Sequence, residues 1–69
     1  MDKQNFYDLN FDQLKNFLIE KAEIDDKKAK MRAQQMFNAV YKKNIKNFDE
    51  LTTFGAELRE KIKNLISLE

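Results

Sequence analysis

The sequence has no cysteine and no histidine, a single glycine, Gly55, and a single serine, Ser67. Without thiols or imidazoles it builds no disulfide framework, no iron–sulfur site and no zinc finger from its own residues. Nucleophilic catalysis through a Ser–His or Cys–His pair is excluded on the same ground. A lone glycine does not make a phosphate-cradling loop. Long hydrophobic runs are missing too: none approaches the ~20 residues that cross a bilayer. No basic region followed by an apolar one opens the chain, so the expectation is a soluble, cytoplasmic protein without a membrane partner.

What is present is charge and a modest apolar set. Charged residues make up 36% of the 69 and apolar ones 42%, a balance that favours a folded chain over a disordered one. That length allows one small domain, spanning 1–69, and we expect a monomer. Its core of Phe, Leu, Ile and Met typically leaves only ~3–5 kcal/mol of stability.

The net charge of +1 conceals an uneven distribution. Lys27 to Lys46 contains six lysines, one arginine and no acid, +7 in all, so the remainder sums to −6. Such a division bears on partners more than on fold. At about 100° per residue, Ala29, Ala33, Met36, Phe37 and Val40 form one apolar stripe. Lys28, Arg32, Gln35, Ala39, Lys42 and Lys43 fall together beside it, a cationic ridge with a small residue in its middle. Lys30 and Tyr41 share the opposite flank.

Local signals place the other elements. Met1 to Asn5 is polar and expected to be loose, and Phe6, Tyr7 and Leu9 lead into a first helix. Asn10 and Gln13 stand in capping-box spacing, with Leu9 and Leu14 spaced as a hydrophobic staple. The helix is expected from Phe11 to about Ala22, burying Phe11, Leu14, Leu18 and Ala22, with Phe17 at the margin and Ile19 off the stripe. Glu23 to Asp26 is an acidic link in which Asp25 or Asp26 caps the central helix. Asn44 suits the left-handed position beyond that helix. Asn47 to Glu50 repeats the cap spacing, so a helical turn over Phe48 to Leu51 is expected, with Phe48 and Leu51 sealing the core. Thr52 or Thr53 then caps a last helix that buries Phe54, Leu58, Ile62, Leu65 and Ile66, is weakened slightly at Gly55, and carries a Glu57–Lys61 pair. No helix-ending residue precedes Glu69. That abruptness suggests that the native protein continues, unless Leu68-Glu69 is a cloning scar. The expected fold class is all-α: a compact three-helix bundle with a short extra helical turn before the last helix.

No catalytic or metal-ligating constellation emerges. The pairs Asp25-Asp26 and Asp49-Glu50 sit where caps are expected, which favours capping over acid–base or metal chemistry. The ridge has two readings, a solvated face or a surface for a phosphate backbone. Helix geometry nominates Lys28, Arg32, Lys42, Lys43 and Lys46 for RNA phosphates, with Gln35 as a hydrogen-bonding partner. Tyr41 reads as a core-edge residue ahead of a base-stacking platform. Met31, Met36 and Phe37 read as packing residues, and Arg59 as a surface or ion-pairing residue ahead of an RNA contact. Helix-turn-helix DNA binding is the weakest alternative, because the start of the central helix is mostly lysine.

Three stretches together resemble a known family. Met31-Arg32-Ala33-Gln34-Gln35-Met36-Phe37-Asn38-Ala39-Val40-Tyr41-Lys42-Lys43, then Asn47-Phe48-Asp49-Glu50-Leu51-Thr52, then Leu58-Arg59-Glu60-Lys61 is similar to the N-terminal accessory domain of RlmN-type enzymes. These are radical SAM methyltransferases acting on C2 of adenine in 23S rRNA and tRNA. Tyr7-Asp8-Leu9 with Leu14 resembles the family's first helix, so the likeness runs from about Asn5 to Leu68. The chain departs in having Met31 for an aromatic residue, Ala39 for tryptophan and Asn44 for glycine. The resemblance implies that the parent enzyme uses S-adenosylmethionine and a 4Fe-4S cluster held in a downstream barrel absent from this chain. It implies no cofactor and no catalysis here, but a role in rRNA and tRNA modification through positioning the RNA substrate. The alternative is an interaction module that docks its basic helix on an acidic partner or on its own catalytic domain.

Overall fold

The computed structural model describes residues 3–68. Helix α1, Phe11–Lys21, starts on the expected capping box: Gln13 N–H donates to Asn10 Oδ1 at 2.8 Å and Asn10 N–H to Gln13 Oε1 at 2.9 Å. Leu14, Leu18 and Ala22 are buried, while Phe11, Phe17 and Ile19 are partly buried against the same core. Helix α2, Asp26–Phe37, is capped by Asp25, whose Oδ2 accepts from Lys27 N–H at 3.2 Å. It packs on α1 through Ala29, Ala33 and Met36, all with no exposed surface.

The central helix does not stay α-helical to its end. Residues Asn38–Lys42 form a π turn, and Lys43 N–H returns to the Asn38 carbonyl at 3.2 Å. A wider turn changes the angular register, so positions past Phe37 leave the 100° projection. Ala39, expected on the open ridge, is buried at 7% exposure beside buried Val40, because the connector covers it: Ile45 N–H bonds its carbonyl, and Leu51, Thr52 and Thr53 line the same recess. Asn44 follows in the left-handed conformation with φ 55°, as its residue type suggested. Glu23 has the same φ beyond α1. In both places the next N–H turns back six residues, Ile24 to Leu18 O and Ile45 to Ala39 O.

A 3₁₀ turn over Phe48–Glu50 carries the second capping box, with Asn47 Oδ1 accepting from Asp49 N–H and Glu50 Oε2 from Asn47 N–H. Phe48 and Leu51 are buried, as expected. Thr52 and Thr53, however, do not cap the last helix. They form a tight turn closed by Phe54 N–H to Leu51 O, which drops Phe54 into the core at 2% exposure. Helix α3, Ala56–Leu65, begins after Gly55, which serves as its N-cap without a side-chain bond.

Two further expectations are corrected. Gln4–Asn5 is strand β1, pairing in parallel with strand β2, Ile66–Ser67, so neither end of the described chain is loose and Ile66 is buried in extended backbone. Met1, Asp2 and Glu69 lie outside the described residues. Lys61 forms no ion pair with Glu57. It reaches across to Glu23 at 3.9 Å and donates to the Ala22 carbonyl at 3.4 Å, meeting the partial negative charge at the end of α1.

The architecture is otherwise the all-α, three-helix bundle with an added helical turn. Its centre is Phe6, on a 3₁₀ turn over Phe6–Asp8, with no exposed surface. The Phe6 ring meets those of Phe37 at 5.3 Å, Tyr41 at 5.9 Å and Phe48 at 6.3 Å, tying the N-terminal turn to the central helix and the connector.

Candidate nucleic-acid interface

Among the described residues every cation in an ion pair lies outside Lys27 to Lys46. Lys15 meets Asp26 at 3.7 Å, Lys61 meets Glu23, and Lys63 meets Asp49 at 3.1 Å and Glu60 at 3.8 Å. Lys27, Lys28, Lys30, Lys42, Lys43 and Lys46 are all exposed, and none has a carboxylate partner there. No direct ion pair neutralises them, a condition that suits a surface for a polyanion, although the Glu50 carboxylate shares a cleft with Lys43.

The nominated residues divide into groups. Arg32, half-buried, donates from Nη1 to Gln35 Oε1 at 3.0 Å and lays its guanidinium over the Phe54 ring at 4.9 Å. With its oxygen held, Gln35 keeps its amide N–H groups for other use. Gln35 and Lys43 line one cleft of about 200 Å³ between the π turn and the Thr52-Thr53 turn, with Ala39 also lining it. Lys46 lies elsewhere, with Lys3 and Lys63 around a shallow depression beside Ile66 and Ser67. Lys28 is one helical turn before Arg32 and Lys42 closes the π turn, both open to solvent. The ridge is thus a local unit at Arg32, Gln35 and Lys43 with outlying charges, and Ala39 forms part of a recess in it.

Spacing within one helix did not reveal Glu50, Thr52 and Thr53, which complete that cleft from the connector, opposite Asn38 of the π turn. Glu50 caps as expected, its Oε2 accepting from Asn47 N–H at 3.3 Å, and it also accepts from Lys46 N–H at 2.7 Å. Tyr41 is half-exposed and stacked on Phe37 at 5.5 Å and 15°, a core-edge position. Arg59 donates to the Asp49 carbonyl at 3.1 Å. Met31 is 48% exposed, so it packs less than its position in the sequence suggested.

No group of His, Cys, Asp or Glu side chains among the described residues is placed to hold a metal ion. With no cysteine, the chain offers no thiolate to an iron–sulfur cluster, and its residues do not fit that group. No helix among the described residues is long and apolar enough to cross a membrane.

The fold and the site define a small helical bundle with a cationic face free of ion pairs among the described residues. Comparison with known proteins narrows the class: the chain belongs to the family described as the ribosomal RNA large subunit methyltransferase N-terminal domain, whose model matches residues 4–68. It is 36% identical over 63 residues to proteins of Staphylococcus aureus strains JH9, Newman and COL, each named "Probable dual-specificity RNA methyltransferase RlmN". The match covers 91% of this chain and 16% of those relatives. No solved structure matches.

Proposed function

We infer that this chain acts as the RNA-positioning N-terminal domain of an RNA methyltransferase and performs no chemistry itself. The observation that carries this reading is that, among the described residues, none of the seven cations from Lys27 to Lys46 is in an ion pair, whereas Lys15, Lys61 and Lys63 outside that stretch are. Lys28, Arg32, Lys42, Lys43 and Lys46 supply charge to phosphates, and Gln35 a hydrogen bond. Methyl transfer, S-adenosylmethionine and the 4Fe-4S cluster belong to the catalytic part of the parent, which acts on 23S rRNA and tRNA in the cytoplasm. The names of the relatives support this division, since they are RNA methyltransferases several times longer than this chain.

The test is a salt titration of binding to a structured RNA. Engagement of about four phosphates gives a slope of log K against log salt near −3, at ~0.7–0.9 per phosphate. Lys42→Glu with Lys43→Glu abolishes binding and leaves helicity unchanged. A second reading, docking on an acidic protein surface, draws on half-exposed Tyr7, Met31 and Tyr41, which give the chain apolar contact area. Absence of any RNA-dependent shift at low salt selects that reading.

A further inference from the structure

We propose that the cleft between the π turn and the Thr52-Thr53 turn is a pocket for one unpaired nucleobase, whose adjoining phosphate rests on Lys43. The proposal rests on the RNA-positioning reading and assigns that face a second kind of contact.

The cleft owes its existence to two local features. The turn at Thr52-Thr53 folds over the π turn, and Ile45 N–H bonds the Ala39 carbonyl, so Ala39 lines a recess instead of standing on an open ridge. π turns within α-helices are frequent at functional positions. At about 200 Å³ the recess is smaller than the ~300–1,000 Å³ usual for whole ligands, so it takes one ring system and not a complete nucleotide.

Its polar lining decides what kind of ring. Gln35 Oε1 is occupied by Arg32 and Asn38 Oδ1 accepts from Gln34 Nε2 at 3.4 Å, so both amides have N–H groups left to donate. Thr52, Thr53 and the Lys43 ammonium make no side-chain hydrogen bond among the described residues. Glu50 contributes the opposite polarity: its Oε2 accepts from Lys46 N–H and Asn47 N–H, while Oε1 is unused among those residues. A phosphate seated beside Glu50 is repelled by the carboxylate. A base edge, which carries N–H donors next to carbonyl or ring-nitrogen acceptors, satisfies both polarities. Unpaired bases in RNA loops and bulges are the form in which such edges are free to be read. Lys43, at the junction of cleft and ridge, is then placed for the phosphate outside.

The experiment compares two probes on the 69-residue chain at low salt: a mixed-sequence single-stranded RNA hexanucleotide and an abasic ribose-phosphate of equal length. The hexanucleotide is expected to bind roughly tenfold tighter, the discrimination that a good pair of base-edge hydrogen bonds provides, and to shift the side-chain amide resonances of Gln35 and Asn38. Ala39→Leu, which fills the recess, erases the difference while abasic binding is unchanged. Asn38→Ala, which opens no clash, does the same and covers the case in which the leucine disturbs folding by circular dichroism. Equal binding of both probes by the native chain overturns the pocket and leaves the phosphate reading standing. Binding of neither probe overturns the underlying reading and the pocket with it. Loss of both probes equally in folded Asn38→Ala also overturns the pocket.

Discussion

The guanidinium of Arg32 lies over the Phe54 ring, 4.9 Å from its centroid, while Nη1 holds Gln35 Oε1. One side chain thus joins the middle of α2 to the segment ahead of α3 and fixes an amide of the candidate interface. A partly exposed cation over an aromatic face contributes ~0.5–1 kcal/mol. Lysine keeps the charge but has neither the planar face nor the fork. Arg32→Lys is therefore expected to lower the urea midpoint by an amount equivalent to ~0.5–1 kcal/mol. It leaves the salt slope of RNA binding unchanged, because phosphates respond to charge. Equal midpoints for the two chains refute the structural role.

Phe6 is the most consequential single residue for stability. Its ring is fully buried and meets aromatic rings from the central helix, the π turn and the connector. Removing a buried phenylalanine costs ~3–5 kcal/mol, as much as a domain of this size typically has in total. Phe6→Ala is expected to be unfolded at 25 °C by circular dichroism, and Phe6→Leu to remain folded with a lowered melting temperature. A folded, cooperative Phe6→Ala chain would show that the aromatic cluster is peripheral.

These two residues mark where sequence reading succeeds and where it stops. Both capping boxes, Asn10 with Gln13 and Asn47 with Glu50, were legible because their partners are three residues apart and satisfy helix ends wherever the helix lies. The stripe of Ala29, Ala33 and Met36 was legible for the same reason. Phe6 looked like a lead-in because its partners lie more than thirty positions away, and no spacing rule reaches that far. Ala39 read as exposed because the residues that cover it, Ile45, Leu51, Thr52 and Thr53, come from the connector, beyond the reach of helix periodicity. The pairing of Gln4–Asn5 with Ile66–Ser67 is too short for an alternating pattern to register. In the candidate interface, the charges were visible in composition. The cleft was not, since half of its lining comes from the connector.

Glu23 holds φ 55° beyond α1, a conformation that costs a residue with a Cβ ~1–2 kcal/mol. Glycine removes that cost but loses ~0.5–1 kcal/mol through unfolded-state freedom. The exposed Glu23–Lys61 contact at 3.9 Å contributes at most a few tenths on the scale of surface pairs. Glu23→Gly is therefore expected to be neutral to slightly stabilising, by up to ~1 kcal/mol, whereas Glu23→Val is destabilising. The same pair of changes at Asn44 gives a smaller gain for glycine, because asparagine already tolerates φ 55°. Thermal melts of the four variants check the order.

Among the described residues, Lys63 provides the one pH dependence that the structure supports. Its ammonium donates to Asp49 Oδ2 at 3.2 Å and stands 3.1 Å from Oδ1, with Glu60 at 3.8 Å. The hydrogen bond to Asp49 raises the Lys63 pKa above the ordinary 10.5, with the charges of Asp49 and Glu60 acting in the same direction and Arg59 against it. Since the folded value exceeds the unfolded one, the native state binds the proton more tightly, and the contribution is complete below the unfolded value. It fades as pH rises past 10.5 and through the raised folded value. Lys63→Met removes the group, so the stability difference between native and variant chains is expected to be constant from neutral pH to about pH 9 and to shrink at higher pH. A difference that grows with alkalinity would mean that Lys63 is held neutral and not as a cation.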